Sequence, residues 1–240
     1  MKIRIVTGNK GGVGKSFLSI MFVDYLMRHD KAFLVGDAEA ATVQATTWNV
    51  MRRHVDESVI RPWQLGNTAG FEALADEIER NADQDVTAII DTGASMMDAL
   101  AENLAFLSEV SSDLGADVGV VFVSGPLPDS VAAAREYLRA QKLLEKPVPT
   151  TFLLTSPTER LQDKYAITHD EAIQKAIPTL NGRTAFLGPV RQEYFDDVMK
   201  NFRLPGVVLK DPETGYGYRK KLDMWLKAEF DGIASEIMGE

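Results

Sequence analysis

The chain begins with an apolar run, Ile3-Arg4-Ile5-Val6, and passes at once into Gly8-Asn9-Lys10-Gly11-Gly12-Val13-Gly14-Lys15-Ser16. This fits G-x-x-x-x-G-K-[ST], with Gly8 and Gly14 as the fixed glycines, and it restricts the fold more than any other feature. The pattern works only between a strand and a helix. Glycines let backbone N–H groups close around phosphate oxygens, and the helix N-terminus adds its partial positive charge. Both flanks are present, a strand over 2–7 and a helix over 17–28. In such a loop Lys15 reaches the β/γ-phosphates of a nucleotide, and Ser16 offers its hydroxyl to Mg²⁺. Gly11, Gly12, Val13, Gly14, Lys15, Ser16 and Phe17 form the expected phosphate-binding run.

Apolar segments of strand length alternate with longer amphipathic ones, the pattern of a parallel sheet wrapped by helices. Expected strands are 2–7, 32–36, 86–90, 118–123, 151–154 and 184–187, several of them continuous apolar runs suited to burial on both faces. Expected helices are 17–28, 68–81, 96–108, 129–144, 168–176 and 218–238. The fold class is therefore α/β, a doubly wound, mostly parallel sheet with flanking helices. No repeat, low-complexity tract or linker divides the chain, so residues 1–240 are expected to form a single domain. The stretch 48–66 is irregular and receives no role.

Bulk properties narrow the setting. The chain enters its first strand directly after Met1, so no signal peptide is expected, and no apolar run reaches the roughly 20 residues needed to span a bilayer. A cytoplasmic location is expected. There is no cysteine, so disulfides and thiolate metal sites are excluded. A net charge of −9 argues against a surface coated for nucleic acid, though not against a local basic patch.

The string Lys10-Gly11-Gly12-Val13-Gly14-Lys15-Ser16 resembles the deviant Walker A box of the ParA/MinD family, P-loop ATPases that position plasmids, chromosomes, division sites and other cargo. The absence of cysteine sets aside the nitrogenase iron protein and the iron–sulfur carriers among its relatives. The resemblance implies ATP and Mg²⁺ as cofactors and a homodimer in the ATP state. Lys10 would cross to the partner's nucleotide, and Lys15 would act on its own. Catalytic roles then fall to Lys10, Lys15 and Glu39. The second strand ends Asp37-Ala38-Glu39 where the family has D-x-D. Asp37 matches the acid near Mg²⁺ or its water shell. Glu39 stands where an aspartate usually orients the attacking water, one methylene longer, in a step that requires reach of roughly 2.6–3.2 Å. Another strand ends at Asp91-Thr92-Gly93, resembling the Walker B aspartate, so the metal set implied is Ser16, Asp37 and Asp91. Gly188-Pro189-Val190-Arg191 resembles the loop that closes on adenine, which assigns Pro189 to the nucleotide; Thr155 follows a strand after which many relatives have asparagine.

Between positions 200 and 227 lie seven cations, Lys200, Arg203, Lys210, Arg219, Lys220, Lys221 and Lys227, against Asp211, Glu213 and Asp223. Relatives that ride the nucleoid bind DNA non-specifically through such a region, which marks Arg219, Lys220 and Lys221 as candidate DNA contacts. The last helix carries an apolar face, Leu222, Trp225, Leu226, Phe230, Ile233 and Ile237, together with five acids. That charge suits core packing better than a membrane anchor. The leading expectation is a ParA-like ATPase that dimerises on ATP and hydrolyses it slowly under an activating partner to position DNA or another cargo. The alternatives are a metabolic ATP-dependent ligase or kinase on the same fold, and a MinD-like membrane cycle.

Overall fold

The computed structural model describes residues 1–8, 12–38, 46–93, 96–126, 129–155 and 165–240. Among these described residues seven strands form one sheet: β1 (Lys2–Thr7), β2 (Phe33–Asp37), β3 (Ile60–Arg61), β4 (Thr87–Asp91), β5 (Asp117–Ser124), β6 (Thr150–Thr155) and β7 (Arg183–Leu187). Their spatial order is β3-β2-β4-β1-β5-β6-β7, and every pairing is parallel. The chain leaves β1 toward β2 on one side and leaves β5 toward β6 on the other. The crevice beyond the carboxyl end of β1 is thus the position at which doubly wound sheets bind ligands.

The helices are α1 (Lys15–Arg28), α2 (Thr46–Met51), α3 (Thr68–Asn81), α4 (Met97–Leu114), α5 (Asp129–Gln141), α6 (Ala166–His169), α7 (Glu171–Thr179), α8 (Gln192–Met199), α9 (Pro205–Lys210), α10 (Tyr216–Trp225) and α11 (Asp231–Met238). A π-helical turn, Leu226–Phe230, joins the last two. Alternation along β1 sorts the core into two layers. Ile3 and Ile5 face one layer with residues of α3, α4, α5 and α7, while Val6 faces the other with α1, α2 and α8–α11.

The α/β expectation holds, and the sheet is wholly parallel. Helices α2, α8 and α9 and strand β3 are not among the expected elements, and three of the expected helices differ in course. The helix expected over 168–176 is two, because the Asp170 side chain accepts from the Ile173 N–H and starts a new helix there. The helix expected over 96–108 runs on to Leu114, and Gly115 at φ +63° closes it. The helix over 218–238 is interrupted by the π turn. The apolar face of this last segment is core: Leu222, Leu226, Phe230 and Ile237 are buried, and Trp225 and Ile233 pack against them. Among the described residues no helix is long and apolar enough to cross a membrane.

The unassigned stretch 48–66 has a structural role. It supplies the end of α2, the edge strand β3, and Trp63, which is 3% exposed and packs against the face of β2. Gly36 in β2 makes room for that ring, since a Cβ there would lie 2.3 Å from Trp63 Cε3. Gly36→Ala should therefore destabilise the protein by about 1–3 kcal/mol, the usual range for overpacking a core. The urea midpoint should fall at unchanged slope; an unchanged midpoint would contradict this packing.

Candidate functional site

Parallel register assembles the site. In the pairing of β2 with β4, Asp37 stands opposite Asp91, and in the pairing of β1 with β4, Val6 stands opposite Asp91. Both acids therefore end their strands beside the loop that leaves β1. They are buried, at 3% and 4% exposure. Thr92 fastens this corner to β1 by donating both its N–H and its hydroxyl to the Val6 carbonyl, at 3.1 and 3.0 Å.

The phosphate loop needs its glycines for two reasons. At Gly8 a Cβ would sit 2.5 Å from the Val123 carbonyl oxygen of β5. Gly14, the residue that caps α1, has φ +96° and ψ 14°, a left-handed conformation that a side chain disfavours. Lys15 and Ser16 are the first two residues of α1. Thr155, at the end of β6, donates its hydroxyl to the Val13 carbonyl at 3.1 Å. Thr155 thus braces the loop that leads into α1.

Burial pushes the Asp91 carboxyl up to about 6. Hydrogen bonds from the Thr47 and Ser16 hydroxyls oppose that rise, the Asp37 carboxylate adds to it, and the Lys15 ammonium lowers it. The Thr47 hydroxyl donates to Asp91 Oδ2 at 2.6 Å, and the Trp48 backbone N–H donates to Asp37 Oδ2 at 3.0 Å. Asp91 Oδ1 is buried and accepts no hydrogen bond among the described residues. Two buried carboxylates, one of them with an orphaned oxygen, and a serine hydroxyl form a hard oxygen set. Such a set suits Mg²⁺, which is held by one or two carboxylates together with nucleotide phosphates. Ser16, Asp37 and Asp91 fit the metal.

On the side expected for the base, β7 leads through Gly188-Pro189-Val190-Arg191 into α8. Phe195 of α8 packs on Phe17 of α1 with ring centroids 5.3 Å apart. The Trp225 indole N–H donates to the Pro189 carbonyl at 3.1 Å, and a Cβ on Gly188 would lie 2.2 Å from Glu229 Oε2. Trp225, at the end of α10, and Glu229, in the π turn, thus abut this loop; π turns inside helices frequently mark functional sites.

The structure brings Lys15, Ser16, Asp37 and Asp91 together and places Gly12, Val13 and Gly14 in the loop beside them. Lys10, Gly11 and Glu39 lie outside the described residues. Lys220 and Lys221 are exposed on α10 and Arg219 is half-buried. Carboxylates compensate much of the surrounding basic stretch: Lys200 pairs with Asp196, Arg203 with Asp211 and Asp197, and Lys227 with Asp223. Asp196 and Asp197 come from α8, outside the window in which the charge excess was counted. Sequence reasoning missed Thr47, Trp48 and Trp225. A threonine just ahead of an apolar helical run is a start signal that could have placed α2, but six residues are too few to show helical periodicity.

The fold is the one seen in solved structures of a ParA and of a MinD protein. The chain is similar to the solved structure of pNOB8 ParA (TM-score 0.63, 15% identity, covering 99% of this chain and 98% of that one). It is also similar to the MinD cell division protein of Aquifex aeolicus (TM-score 0.51, 17% identity, covering 100% and 98%). In sequence it is 21% identical over 237 residues to Protein MobD of Acidithiobacillus ferrooxidans, covering 98% of each chain. No protein-family model matches it.

Lys15→Ala should abolish nucleotide binding, because it removes the point charge expected to meet the β/γ-phosphates. Calorimetry showing unchanged ATP affinity would contradict this.

Proposed function

We propose that residues 1–240 form a single Mg²⁺-dependent ATPase domain of ParA/MinD type. It dimerises on ATP, hydrolyses it slowly under an activating partner, and uses that cycle to partition or position DNA or another cargo. The observation that carries the reading is the placement of the buried Asp37 and Asp91 beside Lys15 and Ser16 at the switch point of the sheet. The likeness in fold to a ParA and to a cell-division MinD supports it.

In this reading Lys15 meets the β/γ-phosphates, and backbone N–H groups of the phosphate loop hold their oxygens. Ser16 and Asp91 hold the metal with its water, with Asp37 beside them. Bound Mg²⁺ neutralises charge on the phosphate oxygens as the γ-phosphoryl group is transferred. Glu39 orients the attacking water, and Lys10 reaches the nucleotide of the second subunit.

Lys10 separates this reading from a metabolic ligase or kinase, which has no need of a lysine acting across a dimer. The buried apolar face of α10 and α11 disfavours a membrane anchor in this segment. DNA contact, where it occurs, falls to the exposed Lys210 and Lys221, with Arg219 and Lys220 beside them, since Lys200, Arg203 and Lys227 are held by carboxylates and Lys220 lies 3.9 Å from Asp223. Such binding is steeply salt-dependent and indifferent to sequence.

Lys10→Ala should retain nucleotide binding and lose both ATP-dependent dimerisation and hydrolysis. Light scattering with a non-hydrolysable ATP analogue measures the first loss. A variant that dimerises like the parent would return Lys10 to a solvated loop lysine and remove the main argument against a metabolic enzyme.

A further inference from the structure

Helix α2 makes two consecutive contacts with the site: the Thr47 hydroxyl on Asp91 and the Trp48 N–H on Asp37. Thr47 is fully buried, with 0% exposure, on a helix whose Val50 and Met51 pack into the same core layer as α1. A valine has the same shape and would satisfy that packing. The hydroxyl is therefore explained by the carboxylate it meets, at a distance typical of a charge-assisted O–H···O⁻ bond.

The contact is also one-sided. A carboxylate rotates about its Cβ–Cγ bond, and in water its two oxygens are equivalent. Here Thr47 holds Oδ2 at 2.6 Å and the Ser16 hydroxyl also serves the carboxylate, while Oδ1 is buried with no hydrogen-bond partner among the described residues. Leaving a charged oxygen desolvated and unpaired is costly unless a cation or its water completes it.

We propose that Thr47 is the positioning residue of the magnesium site: by fixing Oδ2 of Asp91 it sets the carboxylate's rotation and presents Oδ1 to the metal's coordination shell. The inference rests on the Mg²⁺–nucleotide reading above and goes beyond it by assigning a role to a residue outside the phosphate loop and the strand-end acids. Thr47 also ties the metal-side acid of β4 to α2.

The test is the Mg²⁺ dependence of nucleotide binding, read by titrating MgCl₂ from an EDTA-buffered start against a fluorescent non-hydrolysable ATP analogue. Thr47→Val should raise the half-saturating Mg²⁺ concentration roughly 10–100-fold, the usual loss when a group orienting a metal ligand is removed. Affinity for the analogue in EDTA should stay within about twofold, because the contacts of Lys15 and the phosphate loop remain. Thr47→Ser, which keeps the hydroxyl, should return the midpoint to near the parent value. A hydroxyl that served only stability would lower the melting temperature and leave the midpoint where it was, and that result overturns the proposal. Should Thr47→Val not fold, Thr47→Cys decides: a thiol is a weak donor of similar size, so a raised midpoint is expected and a parental one overturns the assignment. A parent protein that binds no nucleotide with or without magnesium overturns the functional reading itself. A parent that binds, beside a Thr47→Val variant of unchanged midpoint, overturns only the role of Thr47.

Discussion

The structure depends on holding two carboxylates side by side in a dry place. Parallel pairing sets Asp37 opposite Asp91 at the ends of adjacent strands, and both are almost wholly buried. Like charges in such surroundings repel, and desolvation disfavours each of them; the rise of the Asp91 carboxyl to about 6 expresses that cost. Donors gather around the pair accordingly. Thr47, Ser16 and the Lys15 ammonium favour the ionised form of Asp91, and the Trp48 N–H serves Asp37. These groups do not complete the arrangement, since one oxygen of Asp91 stays unpaired. In the proposed reading, a divalent cation arriving with nucleotide phosphates would complete that oxygen.

The surrounding fold keeps the phosphate loop fixed relative to those acids. Gly8 lets the end of β1 run against the Val123 carbonyl, and Thr155 ties Val13 to β6. The far end of α1 is anchored by Arg28, which bonds Asp24 at 2.8 Å and Asp231 of α11 at 2.7 Å. Asp24, 1% exposed, also accepts from the Gly206 N–H at 2.7 Å, and burial holds its carboxyl above its ordinary range despite the guanidinium. The helix that begins with Lys15 and Ser16 is thereby fixed to the C-terminal helices. Those helices in turn meet the 188–190 loop through Trp225.

Much of this was legible in the sequence. The glycine-lysine-serine string states its own context, and the acids at the ends of apolar strands follow from the rule that ligands sit beyond the carboxyl ends of a parallel sheet. The strands were readable because burial on both faces makes continuous apolar runs. What escaped was non-local or short. Thr47 acts through a six-residue helix, and its partner lies 44 positions away. The edge strand β3 has two residues, and Trp63 is explained only once Gly36 is seen beneath it. The charge count over 200–227 failed to anticipate its surroundings for a similar reason. Asp196 and Asp197 lie just outside the window, and helical spacing carries Asp196 back onto Lys200.

The central claim is that the Lys15–Ser16 turn and the two strand-end acids form a magnesium–nucleotide site. Isothermal calorimetry of a non-hydrolysable ATP analogue into the wild-type protein, once with excess MgCl₂ and once with EDTA, tests it most directly. The account predicts stoichiometric binding that is at least about tenfold tighter with magnesium, as expected when a cation completes two buried carboxylates beside the phosphates. Equal affinity in the two buffers would contradict the metal assignment, and no binding heat in either would contradict the site.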